Sequence, residues 1–239
     1  MAPADQTGRP VALVTGSRSG IGRSVAEHLV ATGSLVVGCS RNEADWSLDG
    51  YTHVVADVGD ERQVRSLLSA VRKEHGRLDH VVSCAGAASM NHALLTPAST
   101  FERLLSVNTM GTFLVAREAA KVMQPRKAGR IVNVTTVAVP LALAGEAAYV
   151  AAKAAVEALT RVMARELGPL GITVNAVGPG PIPTALIKGV PDKAIDEILG
   201  RLAIPRLATF ADVANVVDFF LADASAMVTG QIVYLGGAW

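Results

Sequence analysis

Short apolar runs alternate with helix-period stretches from Val11 onward, and this alternation constrains the fold more than any other feature of the chain. Val11-Ala-Leu-Val-Thr15 reads as a short buried strand. Gly20 to Thr32 then carries Ile21, Val25, Leu29 and Val30 near helical spacing, with Gly33 as a stop signal. Leu35 to Cys39 and His53 to Ala56 read as the second and third strands. Asp60 to His75 repeats the helical period, with Asp60 predicted as N-cap and Gly76 just past the C-terminal end. Further strands are predicted at His80–Ser83, Arg130–Val134, Ile172–Val177 and Gln231–Leu235, with helices at about 99–124, 147–168 and 211–222. Apolar strands that alternate with helices form a parallel sheet covered on both faces. Right-handed crossovers wind it doubly and leave a ligand crevice at the carboxyl ends of the strands. The predicted class is therefore α/β, with about seven strands in a mostly or fully parallel sheet.

Two segments break this rhythm. Ser40 to Thr52 is too short for a crossover helix, and Gly178 to Pro205 is rich in proline and glycine. Residues 184–205 are predicted to form a substrate lid, since a long excursion beyond a strand end usually serves function. No repeat or linker divides the 239 residues, so residues 10–239 read as a single domain. Residues 1–9 lack an apolar signal-peptide core and read as a flexible arm. The formal charge of +1 and an aromatic content of 4% leave no footprint for nucleic acid or an anionic membrane surface. No apolar run reaches the ~18 residues of a membrane span. Two cysteines outside any Cys-x-x-Cys pair, Cys39 and Cys84, suit a reducing cytoplasmic setting, and the five histidines have no metal-ligand spacing.

Two constellations carry chemistry. In Thr15-Gly16-Ser17-Arg18-Ser19-Gly20-Ile21-Gly22 a glycine-rich turn joins a strand to a helix. Gly16 suits a left-handed turn, Gly20 a close approach to pyrophosphate, and Gly22 tight helix–strand packing. Tyr149-Val-Ala-Ala-Lys153 puts a phenol and an ammonium on one helix face, where the ammonium is expected to lower the phenol's pKa from near ~10. Such a tyrosine exchanges protons near neutral pH.

With Ser83-Cys84-Ala85-Gly86, Asn108, Thr136 and Val177-Gly-Pro-Gly180, these motifs stand in the order of the short-chain dehydrogenases/reductases, and the resemblance covers about residues 10–237. The tail from Ile204-Pro-Arg-Leu-Ala to Gly236-Gly237 resembles 3-oxoacyl-[acyl-carrier-protein] reductases and polyketide ketoreductases. The resemblance implies a Rossmann-type domain with Tyr149 as general acid, Lys153 on the nicotinamide ribose, and Asn108 holding a relay water. Thr136 takes the place of the family's serine. Its hydroxyl keeps the hydrogen bond, and its methyl stiffens χ1. Cys84 replaces an asparagine and reads as a packed thiol, since no general base adjoins it.

Coenzyme contacts implied in the same way are Gly16, Ser17, Arg18, Ser19, Gly20, Ile21, Gly22, Ser40, Arg41, Asp57, Val58, Cys84, Ala85, Gly86, Tyr149, Lys153, Pro179, Gly180, Ile182 and Thr184. Ser40 stands where NAD-selective sites carry Asp or Glu, and Arg41 beside it is either a clamp for the 2′-phosphate of NADPH or a solvated side chain. Substrate contacts are expected from Met90, Thr136, Val139, Leu141, Tyr149 and Leu186. The apolar stretch 137–144 is either a pocket wall or core packing. Arg126, Lys127 and Arg130 offer a docking patch for an acidic acyl carrier protein or ordinary surface charge, and Leu170 stands where carrier-dependent relatives often have a basic residue. The leading expectation is an NADPH-dependent ketoreductase of 3-oxoacyl thioesters, assembled as a homotetramer. Reduction of a free ketone, quinone or cyclic polyketide, and a non-catalytic coenzyme-binding scaffold, are the alternatives.

Overall fold

A computed structural model describes residues 8–184, 187 and 190–238. Strand β1 (Val11–Thr15) is buried throughout and leads through the glycine turn into α1 (Gly20–Ala31). Strands β2 (Leu35–Ser40) and β3 (Tyr51–Val55) follow with no helix between them. Helix α2 (Glu61–His75) begins where the Asp60 carboxylate accepts from the main-chain N–H groups of Arg62 and Gln63, and ends at Gly76 in the left-handed region. Both are the caps predicted there. After β4 (His80–Ser83), α3 (Ala98–Leu104) runs through one π-helical turn at 105–110 into α4 (Gly111–Met123). Strand β5 (Gly129–Val134), the single turn α5 (Ala138–Leu141), the long α6 (Ala147–Leu167) and β6 (Ile172–Gly178) come next. Helices α7 (Asp192–Leu199) and α8 (Phe210–Leu221) and strand β7 (Ile232–Tyr234) complete the order.

The seven strands form one sheet in the order β3-β2-β1-β4-β5-β6-β7, with every neighbouring pair parallel. Alternate residues of each strand feed opposite faces. Leu13, Val37, Val81 and Ile131 pack against Leu67 and Val71 of α2 and Leu114 of α4. Ala12, Val14, Val36 and Val132 pack against Val25 and Leu29 of α1 and Val217 and Phe220 of α8. Strand order reverses between β1 and β4, which opens the crevice above their carboxyl ends.

Three expectations need correction. Strand β3 starts at Tyr51 rather than His53 and excludes Ala56, because an edge strand pairs through its backbone whatever its side chains, and Val36 is already in register with Tyr51. The helix expected at about 99–124 is divided by the π turn. Residues 1–7 of the expected arm lie outside the described residues, but Arg9 is anchored: its guanidinium donates to the carbonyls of Gly33 and Ser34 at 2.8 Å each.

Candidate active site

The glycine turn sits at the reversal of strand order. Gly16 and Gly20 hold φ values of +70° and +58°, a region that side chains disfavour. A Cβ on Gly16 would meet the Ala85 backbone at 2.8 Å, so strand-to-strand packing demands glycine there. Helix α1 opens at Ser19 with no side-chain cap and no acidic residue in its first turn. Its leading N–H groups therefore line the cleft as a ready anion site, and a pyrophosphate fits. Ser17 is the exception within the motif: its side chain is fully buried and bonded to the Tyr51 hydroxyl at 2.9 Å, facing away from the cleft.

The cleft has a volume of about 840 Å³ and runs from this turn to Tyr149. Its adenosine end is lined by Arg18, Ser40, Arg41, Asn42, Asp57 and Val58. No carboxylate stands at the tip of β2, and Arg18 and Arg41 are exposed there. Ser19, Ile21, Gly22, Cys84, Ala85, Gly86, Pro179, Gly180, Ile182 and Thr184 line the middle. Burial pushes the Cys84 thiol up to about 12, which keeps it protonated and inert.

At the other end Asn108, Thr136, Tyr149 and Lys153 share one wall. Asn108 sits in the π turn, where its carboxamide donates to the carbonyls of Leu104 (3.0 Å) and Ala87 (2.9 Å) and accepts from Ala87 N–H (3.3 Å). It pins the segment after β4, and Gly86 is required because a Cβ there would lie 2.8 Å from the Asn108 oxygen. The Lys153 ammonium donates to Val134 O at 2.8 Å, and burial pulls it down to about 8. Tyr149 departs from expectation. Burial, reinforced by the Glu146 carboxylate, raises the phenol above its ordinary value, and a hydrogen bond from Thr136 opposes this. Desolvation disfavours the phenolate more than its neighbours favour it. A neutral phenol is the form that gives up a proton.

Two carboxylates near this wall escaped the sequence reading. Glu146, one turn before Tyr149, lines the cleft, its carboxyl has no hydrogen-bond partner among the described residues, and burial raises its pKa. Its spacing from Tyr149 is the signal that could have found it. Glu157, one turn beyond Lys153, is buried and accepts from Thr135 Oγ1 (2.8 Å) and the Tyr234 hydroxyl (2.7 Å). With Asn133 bonded to Thr160 (3.0 Å) and Val134 O to Lys153, the last two residues of β5 and Thr135 just beyond them are stitched to α6. This seam sets Tyr149 and Lys153 against Thr136.

Among the expected substrate contacts Met90, Thr136 and Tyr149 line the cleft, while Leu186 lies outside the described residues. Val139 and Leu141 are corrected: neither lines the cleft, and Leu141 packs with Val137, Leu202 and Ala238 because the turn α5 rolls it inward. The apolar wall is formed instead by Val137, Ala138 and Leu143, with Ile187, Val190, Ile195 and Ile198 from the predicted lid segment. The basic cluster is also misplaced for docking at this mouth. Arg126, Lys127 and Arg130 flank the amino end of β5, opposite the cleft, and Arg126 is paired with Asp79 at 2.9 Å.

The family described as enoyl-(acyl carrier protein) reductase matches residues 16–237. The chain is a short-chain dehydrogenase/reductase. It is 33% identical over 251 residues to NADPH-dependent aldehyde reductase 2, chloroplastic, of Arabidopsis thaliana, covering 95% of this chain and 92% of that protein. It is 30% identical over 233 residues to the 3-oxoacyl-[acyl-carrier-protein] reductase of Salmonella typhimurium, covering 95% and 96%. Its fold is similar to that of levodione reductase, with a TM-score of 0.87 at 30% identity, covering 95% of this chain and 96% of that one. As a member of the short-chain dehydrogenases/reductases, the chain is an NAD(P)-dependent oxidoreductase that interconverts CH–OH and C=O groups. Among the described residues no helix is long and apolar enough to cross a membrane.

Proposed function

We propose that this short-chain dehydrogenase/reductase is an NADPH-dependent ketoreductase that converts a 3-oxoacyl thioester, linked to CoA or to a carrier protein, to its 3-hydroxy product. The observation that carries this reading is the convergence of Tyr149, Thr136 and Lys153 at one end of a cleft walled by Val137, Leu143, Ile195 and Ile198. Bound NADPH supplies the hydride. Tyr149, kept neutral by burial, donates its proton to the carbonyl oxygen as the alkoxide forms. The Thr136 hydroxyl, which donates to the phenol in the substrate-free site, turns to donate to the same oxygen and orients it. Lys153 holds the nicotinamide ribose hydroxyls and is charged below about 8. The second lone pair of the Asn108 carbonyl, whose first accepts from Thr112 at 2.7 Å, is the acceptor for a relay water. Arg18 and Arg41 favour the 2′-phosphate. Exposed Val162 on α6 and Met110 beside α4 suit pairing of these helices in a homotetramer, and two unpaired cysteines suit the cytoplasm.

The unpartnered Glu146 carboxyl favours a second reading, a free ketone that carries a hydrogen-bond donor such as a hydroxyl. Oxidation of NADPH and of NADH should be followed with 3-oxoacyl groups on carrier protein, CoA and a short thiol, beside free hydroxyketones. Turnover of thioesters above free ketones supports the first reading. The reverse order supports the second, and coenzyme binding without turnover of any ketone would leave only a scaffold.

A further inference from the structure

Beneath the adenosine end of the cleft runs a hydrogen-bond chain that no coenzyme motif requires. Ser17 Oγ lies 2.9 Å from the Tyr51 hydroxyl, which lies 2.7 Å from His53 Nδ1. His53 Nε2 lies 3.1 Å from both Ser40 Oγ and Asn42 O, and Ser40 donates to Asn42 O at 2.8 Å. One tautomer satisfies every group: Ser17 donates to Tyr51, Tyr51 to Nδ1, and the Nε2–H is shared by Ser40 and Asn42. The chain has been given room. His53 is in register with Gly38, whose Cβ would collide with Ser17 Oγ and the Tyr51 hydroxyl. Trp46 roofs it, stacked on Tyr51 at 4.0 Å between ring centroids, with its indole N–H donating to Ser17 O at 3.2 Å and the Arg23 guanidinium above its ring.

The consequence falls on Ser40. A hydroxyl has one proton, and here Asn42 O takes it. Ser40 therefore has no donor left for a phosphate, whose oxygens only accept, and the charged donors among the residues lining the cleft at this point are the guanidinium groups of Arg41 and Arg18. We propose that His53 is a positioning residue for coenzyme choice: it clamps Ser40 and Asn42 on either side of Arg41 and so holds the main chain that presents that guanidinium to the 2′-phosphate of NADPH. The inference rests on the NADPH reading above and deepens it.

Dissociation constants for NADPH and NADH, read by quenching of protein fluorescence in the substrate-free protein, test it. His53→Phe should lower the ratio of the NADH to the NADPH constant about fivefold to tenfold, the scale of losing one hydrogen bond between neutral groups. His53→Gln, which keeps a donor at the Nε2 position, should hold the ratio near that of the wild type. Arg41→Ala should weaken NADPH binding less in the His53→Phe background than in the wild type, because the two act through one another. Should His53→Phe fail to fold, Tyr51→Phe interrupts the same chain with the Trp46 stack intact and should lower the ratio about twofold to threefold. A ratio unchanged in His53→Phe and Tyr51→Phe, or both coenzymes weakened there by one factor, overturns the role of His53. A wild-type protein that binds both coenzymes equally overturns the NADPH reading and this inference with it.

Discussion

Replacing Lys153 with methionine keeps an unbranched side chain of similar reach and removes the charge. Lys153 is 4% exposed, and burial lowers its ammonium from 10.5 to about 8. The folded protein therefore holds this proton less tightly than the unfolded chain. Below pH 8 both states are charged, and the full penalty of about 3 kcal/mol, at ~1.4 kcal/mol per pH unit, opposes folding. Between pH 8 and 10.5 the contribution of this group to stability rises with pH, and above 10.5 both states are neutral. Methionine also forfeits the 2.8 Å bond to Val134 O, worth about 1 kcal/mol. The net expectation at pH 7 is a variant more stable by about 2 kcal/mol, a rise in Tm of roughly 4–8 °C for a chain of this size. Near pH 10 the remaining penalty is about 1 kcal/mol, and the advantage vanishes. Thermal denaturation of coenzyme-free protein at both pH values measures it. A variant no more stable at pH 7, or equally advantaged at pH 10, would refute a buried charge at this position. Loss of activity in the same variant would show that the charge is kept for chemistry at the expense of stability.

Tyr149→Phe should reduce kcat by about 10²–10⁴ with a far smaller change in NADPH affinity, and turnover within threefold of the wild type would remove the phenol as acid. Glu157→Leu strands the Thr135 and Tyr234 hydroxyl groups beneath the site and should destabilise the protein by about 2–4 kcal/mol in urea denaturation. A loss below about 1 kcal/mol would mean that the seam between β5 and α6 is held by packing alone.

The sheet was legible because its central strands are buried throughout and therefore largely apolar, as in Val11–Thr15 and, with Thr173 and Asn175 among its apolar residues, Ile172–Gly178. Helix α2 was legible to its last residue because its caps are local chemistry, an Asp at one end and a Gly at the other. The start of strand β3 was not, since Tyr51 and Thr52 are not a core sequence, and pairing with β2 is what extends the strand back to them. The residues Asn108, Thr136, Tyr149 and Lys153 line one cleft, because their spacing is tied to elements the periodicity reveals. Their ionisation was not legible. Adjacency of Lys153 argues for an acidic phenol, whereas enclosure of both groups works the other way. Glu157 and His53 escaped for a shared reason: each matters through partners outside its own element, Tyr234 in one case and Ser40 in the other.

The strand order divides the molecule's labour. Every member of the Ser17–Tyr51–His53–Ser40 chain belongs to the half containing β1, β2 and β3, while Asn108, Thr136, Tyr149 and Lys153 belong to the half built on β4, β5 and β6. On the roles proposed above, the address label of the coenzyme and the proton chemistry are written on separate sides of a single seam between β1 and β4. Either side is free to drift or be exchanged with a relative's while the other is kept, so a chimaera joined in the loop before His80 would inherit its coenzyme taste from one parent and its substrate from the other.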